Sequence, residues 1–269
     1  MQQNQQEPSK STATIMLACV AGLSVLLYLL AFVYPYNIFE LQQFPRLTLY
    51  SFAKDNQMVV WQLTIAFVLQ SGLYFVGWRA AQQAHGKAAW LIVLGGSIAS
   101  GLVLLFLYPY DAADVFDHIL RGRLMSVYGA NPFQDIAQQF PDDPFYAYAA
   151  WKHVPSSYGP NWELVAAGLT WLAGDNLVAN VLAFKLAEGI FFVASIGLVY
   201  LILRRVAPER SLAGVTLFAW NPIILYETMG HAHNDIIIVF LMLAAVLALI
   251  YHRYTLAIMA LILGGLFKS

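Results

Sequence analysis

The stretch Tyr110-Asp111-Ala112-Ala113-Asp114-Val115-Phe116-Asp117-His118-Ile119-Leu120-Arg121 decides how this chain is read. It opens a polar interval, residues 109–160, that closes on Ser156-Ser157-Tyr158-Gly159-Pro160 between long apolar runs. Ionisable groups are costly to hold beside hydrocarbon, so Asp, His and Arg clustered at a bilayer edge mark chemistry or transport. From Asp114 to Leu124 the pattern is helical: Val115, Phe116, Ile119 and Leu120 fall on one side, and Asp114, Asp117, His118 and Arg121 on the other. The spacing predicts an amphipathic helix lying on the membrane surface. Gly129 and the Asn131-Pro132 step end it, as a C-terminal glycine and a helix-incompatible dipeptide.

Outward from this interval, the composition is that of a polytopic membrane protein. Of 269 residues, 60% are hydrophobic and 11% charged, outside the usual globular balance. A net charge of -1 offers no electrostatic basis for a nucleic-acid partner. Cys19, the single cysteine, excludes an internal disulfide and is read as packing. Residues 1–11 read as a short disordered polar tail before a retained anchor, because the run that follows is too long for a signal-peptide core. Residues 12–269 read as a transmembrane domain that stops at Phe267-Lys268-Ser269 inside a helical pattern, so it is expected to be incomplete at its C-terminus.

Apolar runs near 12–34, 58–78, 88–108, 176–203, 211–229 and 235–251 are candidate spans, and another begins near Tyr254. Each full span needs about 20 residues to cross ~30 Å of hydrocarbon. Trp162–Ala173 is apolar but shorter, and it decides the topology. Read as an interfacial or re-entrant helix, it leaves Arg79, Lys87, Arg204, Arg205, Arg210, His252 and Arg253 on the cytoplasmic side with the N-terminus, as basic residues near helix ends favour. The 109–160 loop and His231-Ala232-His233-Asn234-Asp235 then share the extracytoplasmic face, at the cost of leaving Arg46 and Lys54 outside. The expected class is an all-α, multi-pass protein of the plasma membrane with its N-terminus in the cytoplasm.

Each ionisable candidate has a structural role to set beside a chemical one. Asp117 and Arg121 are four apart and suit an ordinary surface pair. Asp114 is an N-cap or a catalytic carboxylate. Arg123, on the apolar side, snorkels to a lipid phosphate or holds the phosphate of a lipid-linked ligand. Lys185 and Glu188, three apart, read as an intrahelical pair. Lys185 nevertheless lies roughly two turns below the outer end, within reach of an interfacial phosphate. His231, His233 and Asp235 lack regular ligand spacing, so no metal site is assigned, although a divalent ion stays open. Asp235 also suits a helix cap, and Asn234 the loop backbone.

The run Asp114-Val-Phe-Asp-His-Ile-Leu-Arg-Gly-Arg-Leu-Met-Ser-Val-Tyr-Gly-Ala-Asn131-Pro132-Phe133, then Pro141-Asp-Asp-Pro-Phe145 and Ser157-Tyr-Gly-Pro-Asn-Trp162, resembles membrane glycosyltransferases of the GT-C superfamily. The likeness is nearest to the bacterial polyprenol-phosphate-mannose-dependent mannosyltransferases. Asn221-Pro222-Ile-Ile-Leu-Tyr-Glu227 followed by Gly230-His-Ala-His233-Asn234-Asp235 resembles their next segment. The resemblance runs from about residue 109 to the end of the chain, while residues 1–108 share only hydrophobicity. It implies a GT-C-like helical bundle whose first large extracytoplasmic loop carries the catalytic base, here Asp114 with Asp111 second. It also implies a short helix in that loop that does not cross. Glu227, His233, Asn234, Asp235 and Tyr158 become candidates for substrate binding.

The chemistry has its own requirements. Transfer of a sugar from a polyprenyl phosphate needs a carboxylate to take the acceptor hydroxyl's proton, which Asp114 can supply. It also needs positive groups or a metal for the departing phosphate, a role open to Arg121, Arg123, His118 or Lys185. The expected partners are a polyprenyl-phosphate sugar, with mannose favoured, a glycan or lipid-linked acceptor, and membrane lipids. Direct displacement would invert the anomeric centre. The competing classes are a lipid or sugar transporter, which would set its charges near mid-membrane, and a noncatalytic subunit that uses the aromatic 133–160 stretch to hold a partner.

Overall fold

A computed structural model describes residues 10–54, 56–111 and 114–268. The tail expected at 1–11 lies outside the described residues as far as Ser9, and Lys10 and Ser11 already belong to the first helix. Helix α1 (Lys10–Leu27) continues as a π segment to Val33, and two short helices follow, α2 (Ile38–Leu41) and α3 (Leu49–Ala53). Then come α4 (Gln57–Ala81), α5 (Gly86–Leu104), α6 (Asp114–Ser126), α7 (Pro160–Ala173) and α8 (Leu177–Val206). The chain ends through α9 (Ser211–Ala219), α10 (Pro222–Leu225) with a π segment to Gly230, α11 (Asp235–Ile250) and α12 (Tyr254–Gly265).

Four of these are long and apolar enough to cross a membrane: Ser11–Val33, Gln57–Ala81, Gly86–Leu104 and Leu177–Val206. The chain is thus an all-α polytopic membrane protein, with fewer full-length spans than the apolar runs suggest. The 88–108 run stops as helix at Leu104. The 211–229 run breaks at Asn221-Pro222, because a residue before proline is pushed out of the α region. Asn221 sits at φ -60°, ψ 118°, and its side chain caps the next turn by accepting from the N–H groups of Ile223 and Ile224. Trp220, just before the break, donates its Nε1–H to the Val93 carbonyl at 2.8 Å and so anchors the interruption in the core. The shorter α11 and α12 form a hairpin beside α8.

α5 and α8 run antiparallel: Trp90 meets Tyr200 at one end, and Lys185 reaches the last carbonyls of α5 at the other. Loops 82–85, 207–210 and 251–253 accordingly gather at one end of the bundle, and the 105–160 and 231–234 segments at the opposite end.

At that second end the surface helix expected over 114–124 is replaced by a buried one. Every residue from Val115 to Leu124 is buried, because α7, the start of α8 and the α6–α7 loop wrap α6 on all sides. α7 has 14 residues, too few to span hydrocarbon, and packs along α6. Gly122 permits the contact: a Cβ there would lie 2.5 Å from the Ala166 carbonyl oxygen.

Candidate active site

Asp114, Asp117, His118 and Arg121 stand at i, i+3, i+4 and i+7 of α6. They line a cavity of about 410 Å³ together with Trp151, Val154, Ser157 and Tyr158. The polar face expected from periodicity is present, but it looks into this cavity instead of open water. Asp117 does not serve the expected surface pair with Arg121. Its Oδ1 accepts the N–H groups of Ala150 at 3.0 Å and Trp151 at 2.8 Å, which ties the loop to α6. Burial pushes its carboxyl above the usual range while those two N–H groups oppose the shift. Asp114 begins α6 with a part-exposed side chain.

His118 accepts the Trp162 Nε1–H on Nδ1 at 3.1 Å. Burial first, and then the positive charge of Arg121, push its pKa down to about 3. It is therefore a neutral imidazole with its proton on Nε2, not a cation for a phosphate.

The other expected phosphate-binding groups separate sharply. Arg121 is buried in the cavity wall, and its guanidinium makes no hydrogen bond to the described residues. Arg123 is engaged on every side, and its expected snorkelling to lipid does not occur. Its Nε donates to Asp143 at 2.8 Å, its Nη1 pairs with Asp175 at 2.8 Å, and the guanidinium lies over Phe145. Lys185 forms neither the expected pair with Glu188 nor a contact with the cavity. Fully buried, it donates to the carbonyls of Leu104 and Leu105 at the end of α5 and of Leu107 just beyond it.

The second motif folds back onto the first. The π segment Tyr226–Gly230 is followed by Ala232 at φ 58°, and this turn brings His233 against Glu227, Nε2 to Oε2 3.2 Å. His233 Nδ1 lies 4.0 Å from Asp114 Oδ2. Asp111 accepts the Tyr226 hydroxyl at 3.5 Å. Asp235 begins α11 and pairs with Lys268, while Asn234 is buried beside it without capping that helix. Glu227, His233 and Asp235 line a second cavity of about 430 Å³ with the apolar Phe218, Ile223, Ile224, Ile236 and Val239. Among the described residues no group of three or more His, Cys, Asp or Glu side chains is placed to hold a metal ion.

Three participants escape the sequence reading. Lys268 reaches the site because Gly159 and Asn161 donate backbone N–H groups to the carbonyls of Phe267 and Leu266. Glu163 is buried and bonded to the Ser156 hydroxyl, and burial raises its carboxyl pKa while that bond and the Arg121 charge oppose the rise. Its only signal in the sequence is a carboxylate opening a short apolar helix. Trp151 gives no signal beyond the aromatic richness of its loop.

Comparison with known proteins identifies the family of the chain. A family described as alpha-(1->6)-mannopyranosyltransferase, N-terminal domain, matches residues 13–269. Alpha-(1->6)-mannopyranosyltransferase B of Corynebacterium glutamicum is 26% identical over 140 residues, 48% of this chain and 22% of its own length. Alpha-(1->6)-mannopyranosyltransferase A of Mycobacterium tuberculosis is 25% identical over 150 residues, 53% of this chain and 28% of its own. A probable alpha-(1->6)-mannopyranosyltransferase of Mycolicibacterium smegmatis is 25% identical over 186 residues, 65% and 31% of the two chains. The chain thus spans less than a third of the length of these relatives. No solved structure matches. The family match covers nearly the whole chain, and the chain belongs to the alpha-(1->6)-mannopyranosyltransferase N-terminal domain family.

Proposed function

We propose that this protein transfers a mannosyl residue from a polyprenyl-phosphate donor to an extracytoplasmic glycan or lipid-linked acceptor, with inversion at the anomeric carbon. The observation that carries the reading is Arg121: a buried guanidinium without a hydrogen-bond partner among the described residues, in one cavity with Asp114. A buried cation in that state favours an anionic ligand, and a phosphate meets it with two acceptor oxygens. Asp114 takes the proton of the acceptor hydroxyl as that oxygen bonds to the anomeric carbon. The bond from that carbon to the phosphate oxygen breaks, its electron pair leaves on the phosphate, and Arg121 stabilises the charge. Asp111, Tyr158, Glu227, His233, Asn234 and Asp235 hold the sugars around this centre. The neutral His118 donates from Nε2, and Lys185 and Arg123 keep the framework in place.

The family relationship supports mannose as the sugar, and a donor whose tail stays in the membrane suits a cavity at the end of the spanning helices. The site end is assigned to the extracytoplasmic side of the plasma membrane, because Arg204, Arg205, Arg210 and Arg253 gather at the other end. The test follows labelled polyprenyl-phosphate mannose and, separately, polyprenyl-phosphate glucose in membranes containing the protein or its Asp114→Asn variant. Transfer from the mannose donor that falls about 10²-fold or more in the variant is expected. Undiminished transfer would remove Asp114 from the mechanism.

A further inference from the structure

Asp114 and His233 belong to different cavities and approach each other. Asp114 lines the first and His233 the second, with Oδ2 and Nδ1 4.0 Å apart. The other imidazole nitrogen, Nε2, lies 3.2 Å from Glu227 Oε2. The imidazole thus lies between two carboxylates from different helical segments. Its placement is enforced: the His233 backbone N–H donates to the Glu227 carbonyl at 3.1 Å, and the residue before it, Ala232, is fully buried at φ 58°. A residue with a Cβ avoids that left-handed conformation, and one held there by its surroundings commonly serves a site.

We propose that His233 is a proton relay and positioning residue, taking from Asp114 the proton that Asp114 removes from the acceptor hydroxyl, while Glu227 holds the imidazolium that results. The inference rests on the glycosyl-transfer reading above. In the resting state Nε2–H donates to Glu227, which leaves the lone pair of Nδ1 turned toward Asp114. During transfer the acceptor O–H bond breaks and the new O–C bond forms. The bond from carbon to phosphate oxygen breaks with its electrons on the phosphate, and the proton passes from Asp114 to Nδ1. It then leaves to water through the part-exposed Glu227 side of the second cavity. Closing the Asp114–His233 gap to hydrogen-bond distance, about 2.8 Å, takes a side-chain rotation.

The charged and titratable groups around His233 are Asp114 and His118 from α6, Glu227 from the π segment and His231 from its own loop, with Asp111, Asp235 and Lys268 beyond them. The relay needs a neutral His233. Protonation of His233 blocks the relay and so slows transfer in acid, and removing the negative charge of Glu227 disfavours that protonated form.

The experiment measures transfer from labelled polyprenyl-phosphate mannose to native membrane glycolipids between about pH 5 and 8, using the protein in its membranes. Wild type is compared with His233→Gln and Glu227→Gln, and rates are normalised to folded protein by detergent melting. His233→Gln is expected to lower the maximal rate about 10- to 100-fold, to change the donor KM less than the maximal rate, and to flatten the acidic limb of the pH profile. Glu227→Gln is expected to keep that limb but at lower pH. A His233→Gln rate and pH profile equal to wild type would overturn the relay while leaving the transfer reading intact. So would an unshifted acidic limb in Glu227→Gln, even if His233→Gln fails to fold. Wild-type protein that uses neither the mannose nor the glucose donor would remove the transfer reading, and the relay with it.

Discussion

The carboxylate of Asp117 accepts the backbone N–H of Trp151 at 2.8 Å, and the same oxygen accepts that of Ala150 at 3.0 Å. A side chain buried in α6 thereby sets the position of the exposed indole that closes one wall of the cavity. Asp117→Asn weakens two charge-assisted bonds and is expected to lower stability by about 1–3 kcal/mol, read as detergent melting. Unchanged melting would mean that the loop is held by other contacts.

Arg121 and Arg123 separate ligand binding from folding. Arg123→Gln breaks the pairs with Asp143 and Asp175 and leaves the buried Asp143 without its cation. It is expected to cost about 3–5 kcal/mol, seen as poor membrane accumulation and early melting. Arg121→Gln should melt like wild type while raising the donor KM about tenfold or more, the scale of a lost charged hydrogen bond. A destabilised Arg121→Gln with normal donor affinity would reverse the two roles.

His118 makes stability depend on pH. Its folded pKa of about 3 lies below the ordinary histidine value of 6.5, so the unfolded chain binds the extra proton first on acidification. Its contribution to stability is complete above about pH 6.5 and is lost progressively as pH falls toward about 3. Melting between pH 7 and 4 should fall less in His118→Asn, whose side-chain oxygen still accepts from Trp162, than in wild type. Identical slopes would assign the acid sensitivity to other groups.

Gly122 sets the distance between α6 and α7. A Cβ there would meet the Ala166 carbonyl oxygen at 2.5 Å, and backbone cannot yield as the end of a flexible side chain can. Gly122→Val is expected to destabilise by about 1–3 kcal/mol and to reduce transfer as α6 shifts. A variant with wild-type melting would show that the helix pair tolerates a wider separation.

The proposed orientation predicts labelling by an impermeant thiol reagent. In a Cys19→Ala background, single cysteines replacing the exposed Gln134 and His153 should react in intact cells, whereas those replacing Gln82 and Glu209 should react only after permeabilisation. The opposite pattern would invert the protein in the membrane.

Much of the site is legible without coordinates. Two motifs more than a hundred residues apart, around Asp114 and around His233, approach to 4.0 Å at the end of the bundle that the charge pattern assigns them both to. The helix at 114–126 follows from its apolar period, and its end from Gly129, whose φ of 62° suits glycine. The break of the 211–229 run is also encoded locally, by Asn221-Pro222, but average hydropathy hides it. Lys268 is different: nothing local relates it to Asp235, and the pair exists because α12 returns to the site end and docks on Gly159 and Asn161.

By itself the sequence determined which residues of α6 share a face, because side-chain direction on a helix is a property of spacing alone. It determined likewise the membrane class, through the excess of apolar residues over charged ones. Only the tertiary structure decided what those faces meet. Arg121 and Arg123 are two positions apart and therefore roughly 200° around the helix. One looks into a cavity beside Asp114, and the other into Asp143 and Asp175, contributed by segments 20 and 52 residues further on. A charge becomes a ligand site or a strut according to partners brought by chain folding, and no local pattern carries that choice.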